Sequence, residues 1–255
     1  MPPRQQWTRW QLLVAFALYC RLPFGRLHRG NPEIIRFSNA IGRSPSALAM
    51  KLTNIASLDP LITSSGRVGL RNASPADREM WQEMATDSAS FAVECQSALV
   101  EAATRMTQES QPEEAHPVDF IGDERVVQTT ARVGQSFFRT AVLSAYEGRC
   151  CITGLSLPSL LVASHIVPWR LDKRNRLNPR NGLALSALHD RAFDSGLIAI
   201  SDNLTVLVAK NHASKDDSFF RSAIEEYEGQ PIRLPRKFGI EPEFLKFHRN
   251  HVFQG

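Results

Sequence analysis

Residues 160–200 leave few folds open to this chain. A short apolar, strand-like run (160–163) delivers Ser164 and His165. A polar, arginine-rich loop follows, then Asn181, a second short apolar segment, and a helical stretch carrying His189, Asp190 and Asp194. Two brief apolar runs joined by a polar loop read as a hairpin, and the 3.6-residue pattern after them reads as a helix. Side chains that move protons or hold cations therefore fall at the end of one strand, beside the next, and on the helix that closes the unit.

The chain has 255 residues, enough to bury one large core or two small ones. The longest apolar run, 12–20, is too short to span a bilayer. Arg9 precedes it and no small-residue cleavage site follows, so a cleaved leader is not expected. The four cysteines (Cys20, Cys95, Cys150, Cys151) lack the spacing of a disulfide framework. A reduced, cytoplasmic protein without membrane attachment is the expectation.

Net charge is +4, and its distribution is uneven. Residues 1–56 hold eight Arg or Lys against one acid, Glu33, whereas residues 77–124 hold twelve Asp or Glu against Arg78 and Arg105. Residues 164–191 hold six basic residues and two acidic ones. Two basic regions flanking an acidic one fit a chain that touches a polyanion at both ends, or solvated faces with no partner.

The first 110 residues read as helical. Thr8 with Gln11 forms a capping box. Asn31-Pro32-Glu33 starts a helix whose stripe of Ile34, Ile35, Phe37 and Ile41 ends at Gly42. Ser44-Pro45 starts another, with Leu48, Leu52 and Ile55 inside and Ser46, Lys51 and Asn54 expected outside, Arg43 lying beside its N-terminus. Two helices joined by a short Gly-containing turn form a helix-turn-helix candidate, with Arg43, Ser46, Lys51 and Asn54 as its DNA-binding residues. The same geometry occurs in proteins that bind no DNA. The loop at 57–72, with Arg67 and Arg71, is a wing or a connector. Ser74-Pro75 then opens a helix that meets no Gly or Pro before Pro112; its apolar stripe (Met80, Trp81, Met84, Phe91, Cys95, Leu99, Met106) is core, a dimer contact or a spacer face. The expected division is a helical domain at 1–110, a polar, Pro-containing linker at 111–125 and a second domain at 126–255.

The second domain adds a helix at 135–146 with Gln135, Phe138 and Arg139, then Cys150, Thr153 and Gly154 entering the hairpin. After the helix bearing Asp194, a further hairpin turns at Asp202-Asn203. With His165, Asn181 and His189-Asp190, these positions resemble the HNH (ββα-metal) nuclease family, in particular bacterial HNH proteins of the restriction-endonuclease type. The likeness covers roughly 126–253. It implies an α+β chain: a helical, helix-turn-helix-like front followed by a ββα-metal nuclease domain.

The resemblance also implies roles. His165 holds the position of the family's general base, which a neutral imidazole suits. Asn181 holds the position of the Asn that fixes the loop and orients the base, although an Asn before Gly182 also suits a plain turn. The third family residue lies nine after the Asn, which is Asp190; His189 lies eight after, and many relatives read His-His there. Metal candidates are thus His189, Asp190, Asp194 (one turn on, or a cap for the Ser195-Gly196 turn) and Ser164, which stands where relatives often have Asp. Oxygen donors point to Mg²⁺ or Mn²⁺. The places of a structural zinc site read Cys150/Thr153 and Ser186/His189, which leaves one good thiolate and no four-coordinate zinc. Arg139, Arg170, Lys173, Arg174, Arg176 and Arg180 are expected to meet DNA phosphates.

The reading is a divalent-metal-dependent DNA endonuclease acting on double-stranded DNA, site-specific or modification-dependent, and a homodimer because one site cuts one strand. A nicking or structure-selective nuclease of phage or mobile-element origin, and an inactive HNH-fold DNA-binding protein, remain alternatives.

Overall fold

A computed structural model describes residues 6–64, 72–108, 123–210 and 217–255, with side chains described outside 107–108 and 123–133. The expected wing arginines Arg67 and Arg71, and most of the linker at 111–125, lie outside the described residues. The chain is α+β and divides into two units, Met1–Thr140 and Ala141–Gly255.

Unit 1 is helical. Helix α1 (Arg9–Arg21) opens on the Thr8–Gln11 capping box and buries every residue from Gln11 to Cys20. A helix apolar around its whole circumference must be enclosed. Helices α2 (Pro32–Ala40) and α3 (Pro45–Ala56) start where Asn31-Pro32 and Ser44-Pro45 place them, each with a side-chain cap and proline in the first turn. Gly42, at φ +65°, makes the turn between them. A short α4 (Pro60–Ser64) follows.

The acidic segment is two helices, not one. Helices α5 (Pro75–Thr86) and α6 (Ser88–Gln108) are separated at Asp87, whose φ of −139° and ψ of 75° leave helical space. Asp87 accepts from the Ser90 amide at 3.1 Å and from the Ser90 hydroxyl at 2.8 Å. A short carboxylate that caps the next turn breaks a helix without Gly or Pro. The stripe read as core is core in part: Met80, Met84, Phe91, Cys95 and Leu99 are buried, and Phe91 meets Phe16 of α1 edge-on at 5.5 Å.

Helix α7 (Asp123–Ala145) runs across the division between the units and contains the start of the expected second domain. Unit 2 continues with β1 (Leu161–His165) and β2 (Gly182–Ser186), antiparallel with Leu161 opposite Ser186 and His165 opposite Gly182. Ser186, the last residue of β2, is the N-cap of α8 (Ala187–Asp194), so strand passes into helix without a loop. A second hairpin, β3 (Ile198–Ile200) and β4 (Val206–Val208), has Asp202-Asn203 in its turn. Helices α9 (Ser218–Ala223) and α10 (Pro242–His251) complete the unit. His248 of α10 stacks on Phe193 of α8 at 3.7 Å and donates from Nε2 to the Phe193 carbonyl at 3.1 Å. Gly196 is required where the tail closes: its φ is +73°, and a Cβ there would lie 2.0 Å from the Val252 carbonyl oxygen.

Candidate active site

The end of β1, the loop after it and the exposed side of α8 converge on His165. The His165 Nε2 lies 2.8 Å from the Arg176 carbonyl oxygen. A carbonyl only accepts, so Nε2 carries the hydrogen and the lone pair of the neutral ring is on Nδ1. Burial pushes the His165 pKa down, opposed by that carbonyl and by the charge of Asp190, so the ring is neutral near pH 7. Trp169 meets the His165 ring edge-on at 5.5 Å.

Asn181 is fully buried and sutures the loop. Its Oδ1 accepts from the Val167 amide at 2.8 Å, and its Nδ2 donates to the Val167 carbonyl at 3.2 Å and the Asn175 carbonyl at 3.3 Å. Its own carbonyl accepts from the Ile166 amide at 3.0 Å. An amide uses donor and acceptor together, independent of pH, to hold the segment that follows His165. Between these anchors, Asp172 accepts from the Arg174 and Asn175 amides and from the Asn175 side chain, and Asn175 accepts from Asn178. The loop is thus built from its own hydrogen bonds.

The adjacent His189 and Asp190 diverge. His189 is 3% exposed. Its Nδ1 lies 2.8 Å from Ser186 Oγ, and Tyr227 meets its ring edge-on at 5.4 Å. Burial pushes its pKa down, partly opposed by the Ala223 backbone. Asp190 is half-buried and close enough to act on both His165 and Asp194. The Asp194 pKa is raised by desolvation and by the Asp190 charge, against Arg191. Two like charges in one corner favour a cation between them.

Oxygen donors suit a hard divalent cation. Ser164 Oγ adds a buried oxygen with no hydrogen-bond partner among the described residues. No three His, Cys, Asp or Glu side chains among the described residues form a ready ligand set, so a cation here would lean on Asp190, Asp194 and water. Cys150 and Cys151 are buried free thiols.

Of the expected phosphate contacts, Arg139, Arg170, Lys173 and Arg174 are exposed. Arg180 is tied to Glu241 at 2.8 Å and to the Gly239 carbonyl at 3.0 Å. Arg176 is half-buried over Trp169, a residue the sequence motif did not single out. In unit 1, Ser46 is exposed, but Lys51 and Asn54 are buried at 7% and 9% exposure, contrary to expectation. Lys51 Nζ bonds Asp77 Oδ1 at 2.8 Å and Oδ2 at 2.9 Å, a carboxylate the spacing of α3 alone does not reveal. Arg43 packs on Trp7 at 4.8 Å and bonds Gln11 at 2.9 Å. The expected outward set of α3 is thereby reduced to Ser46.

No helix of the described residues is long and apolar enough to cross a membrane. No curated protein gives a significant match to the chain. Residues 150–201, from Cys150 through β3, match the family model described as HNH endonuclease, and this stretch of unit 2 is thus similar to HNH endonucleases.

Proposed function

We propose that this chain is a divalent-cation-dependent DNA endonuclease of the restriction type that cuts double-stranded DNA with unit 2. The observation that carries the reading is the tautomer of His165. With Nε2–H committed to the Arg176 carbonyl, Nδ1 is the proton acceptor, on a strand end that buried Asn181 holds in place. A water oxygen forms the new bond to phosphorus, its proton passes to Nδ1, and the bond from phosphorus to one sugar oxygen breaks. That oxygen then takes a proton from solvent. A bound divalent cation supplies neutralisation of the scissile phosphate and the leaving oxygen. Asp190 and Asp194 would hold it. Cutting both strands at one place calls for two copies of the site, hence a homodimer.

The test is supercoiled plasmid (unmodified, methylated and hydroxymethylated) incubated with the protein and Mg²⁺ or Mn²⁺, against a chelator control. Linear product supports the restriction reading; nicked circle favours a nicking enzyme; binding without cutting favours an inactive DNA-binding protein. His165→Ala is expected to lower turnover by roughly 100-fold or more while DNA binding persists. Near-normal cutting by that variant in saturating cation moves the base elsewhere.

A further inference from the structure

The loop between His165 and Asn181 gives one of its arginines a different environment from the rest. The Arg176 guanidinium carbon lies 5.0 Å from the centre of the Trp169 ring, and that ring meets His165 edge-on at 5.5 Å. The Arg176 carbonyl is the group that fixes the base. Its Nε is buried and has no hydrogen-bond partner among the described residues. An unsatisfied buried donor is costly to keep, more so on a charged group. Arg180, four residues on, is instead neutralised by Glu241, and Arg170, Lys173 and Arg174 stand in solvent.

We propose that Arg176 is a catalytic residue whose guanidinium donates to a non-bridging oxygen of the scissile phosphate, with Trp169 holding its plane in position. The proposal rests on the nuclease reading above. Asp190 and Asp194 bring two negative charges to the corner, and the phosphodiester gains a further one as water adds to phosphorus and its proton passes to His165 Nδ1. Asp190 and Asp194 would offset the charge of any divalent cation they hold, so a protein cation on the ring that meets the base would answer the developing charge. Arginine suits that place because its planar fork matches phosphate oxygens, and because the ring face keeps it oriented before substrate arrives.

The experiment uses the full-length protein in excess over supercoiled plasmid, comparing wild type, Arg176→Ala, Arg176→Lys and His165→Ala. For each, the maximal cutting rate and the half-saturating protein concentration are read separately, and thermal unfolding is followed. Arg176→Ala is expected to lose roughly 100-fold in maximal rate, with half-saturation shifted less than about 3-fold. Arg176→Lys should recover part of the rate, and methylguanidinium in solution should raise the rate of Arg176→Ala but not of His165→Ala. A rate equal to wild type in Arg176→Ala, or a loss confined to half-saturation, overturns the assignment. So does a rate loss that tracks a lowered unfolding temperature in both substitutions at this position and ignores methylguanidinium. A wild-type protein that leaves plasmid intact in every cation overturns the nuclease reading itself, and this with it.

Discussion

At the scale of single residues, the instructive pair is His189 and Asp190. Successive helical positions differ by about 100°, so one faces the interior when the other faces the site. The nine-residue interval from Asn181 already picked Asp190 as the family's third residue. What the interval left open was the part played by His189. Its neighbour Ser186, three residues earlier, is the N-cap, accepting the His189 amide while its hydroxyl pairs with Nδ1. That i, i+3 cap was present in the sequence, but the Tyr227 and Ala223 contacts that complete the pocket come from distant chain. We expect Asp190→Ala to lower cleavage by roughly 100-fold across a Mn²⁺ titration, with unfolding little changed. His189→Ala should lower stability by about 1–3 kcal/mol while leaving the cation midpoint in place. Unfolding curves beside cation titrations separate the two; a shifted cation midpoint in His189→Ala with normal stability makes the histidine a ligand.

At the scale of elements, helix starts were the most legible feature, because caps and first-turn prolines act locally. Thr8, Asn31, Ser44 and Ser74 all cap where the sequence puts them. Facing was harder. In α3 the positions i, i+3, i+4 and i+7 are Leu48, Lys51, Leu52 and Ile55, so the apolar period itself places Lys51 inward, and its charge argued the other way. The carboxylate that makes burial tolerable, Asp77, lies 26 residues on. Removing one member of a buried pair strands the other, so Lys51→Ala should cost about 3–5 kcal/mol, whereas Ser46→Ala on the exposed side should change stability by less than about 0.5 kcal/mol. Denaturant unfolding of the two variants checks this, and equal effects would sink it. The contact of α10 with α8 carries a pH dependence. Burial, with the Arg249 charge adding to it, lowers the His248 pKa to about 4, and the Phe193 carbonyl opposes this. The unfolded chain then takes up a proton that the folded one refuses between the ordinary value of about 6.5 and about 4. Stability contributed by neutral His248 is thus complete above that window and falls as pH drops through it, by roughly 3 kcal/mol in all. His248→Gln should flatten the unfolding free energy across pH 6.5 to 4; a profile that keeps its wild-type slope assigns the effect to other groups.

Across the whole molecule, charge blocks read along the sequence are not charge patches in space. The basic front and the acidic segment meet inside unit 1: Arg9 bonds Glu83 at 2.7 Å and Glu94 at 2.9 Å, and Lys51 bonds Asp77. Arg21 is paired with Glu33 at 2.9 Å. Sequence order hid the pairs of Arg9 and Lys51 because pairing across 26 to 85 positions depends on how helices pack, which local pattern does not encode. The consequence for DNA is quantitative. Each phosphate neutralised by a side chain releases counterions and steepens the fall of log K with log salt by about 0.9. Arg170, Lys173 and Arg174 are exposed on the loop beside the site, so Arg170→Ala with Lys173→Ala and Arg174→Ala should weaken binding to all sequences alike and reduce the salt slope by about 3. Lys51→Met should leave that slope unchanged, since Asp77 already holds its charge. Both slopes follow from filter or fluorescence titrations at stepped salt, in chelator so that no strand is cut. A slope that falls by about one in Lys51→Met, and not at all in the triple substitution, would place the phosphate contacts in unit 1 and return the basic front to the DNA-facing role its composition first suggested.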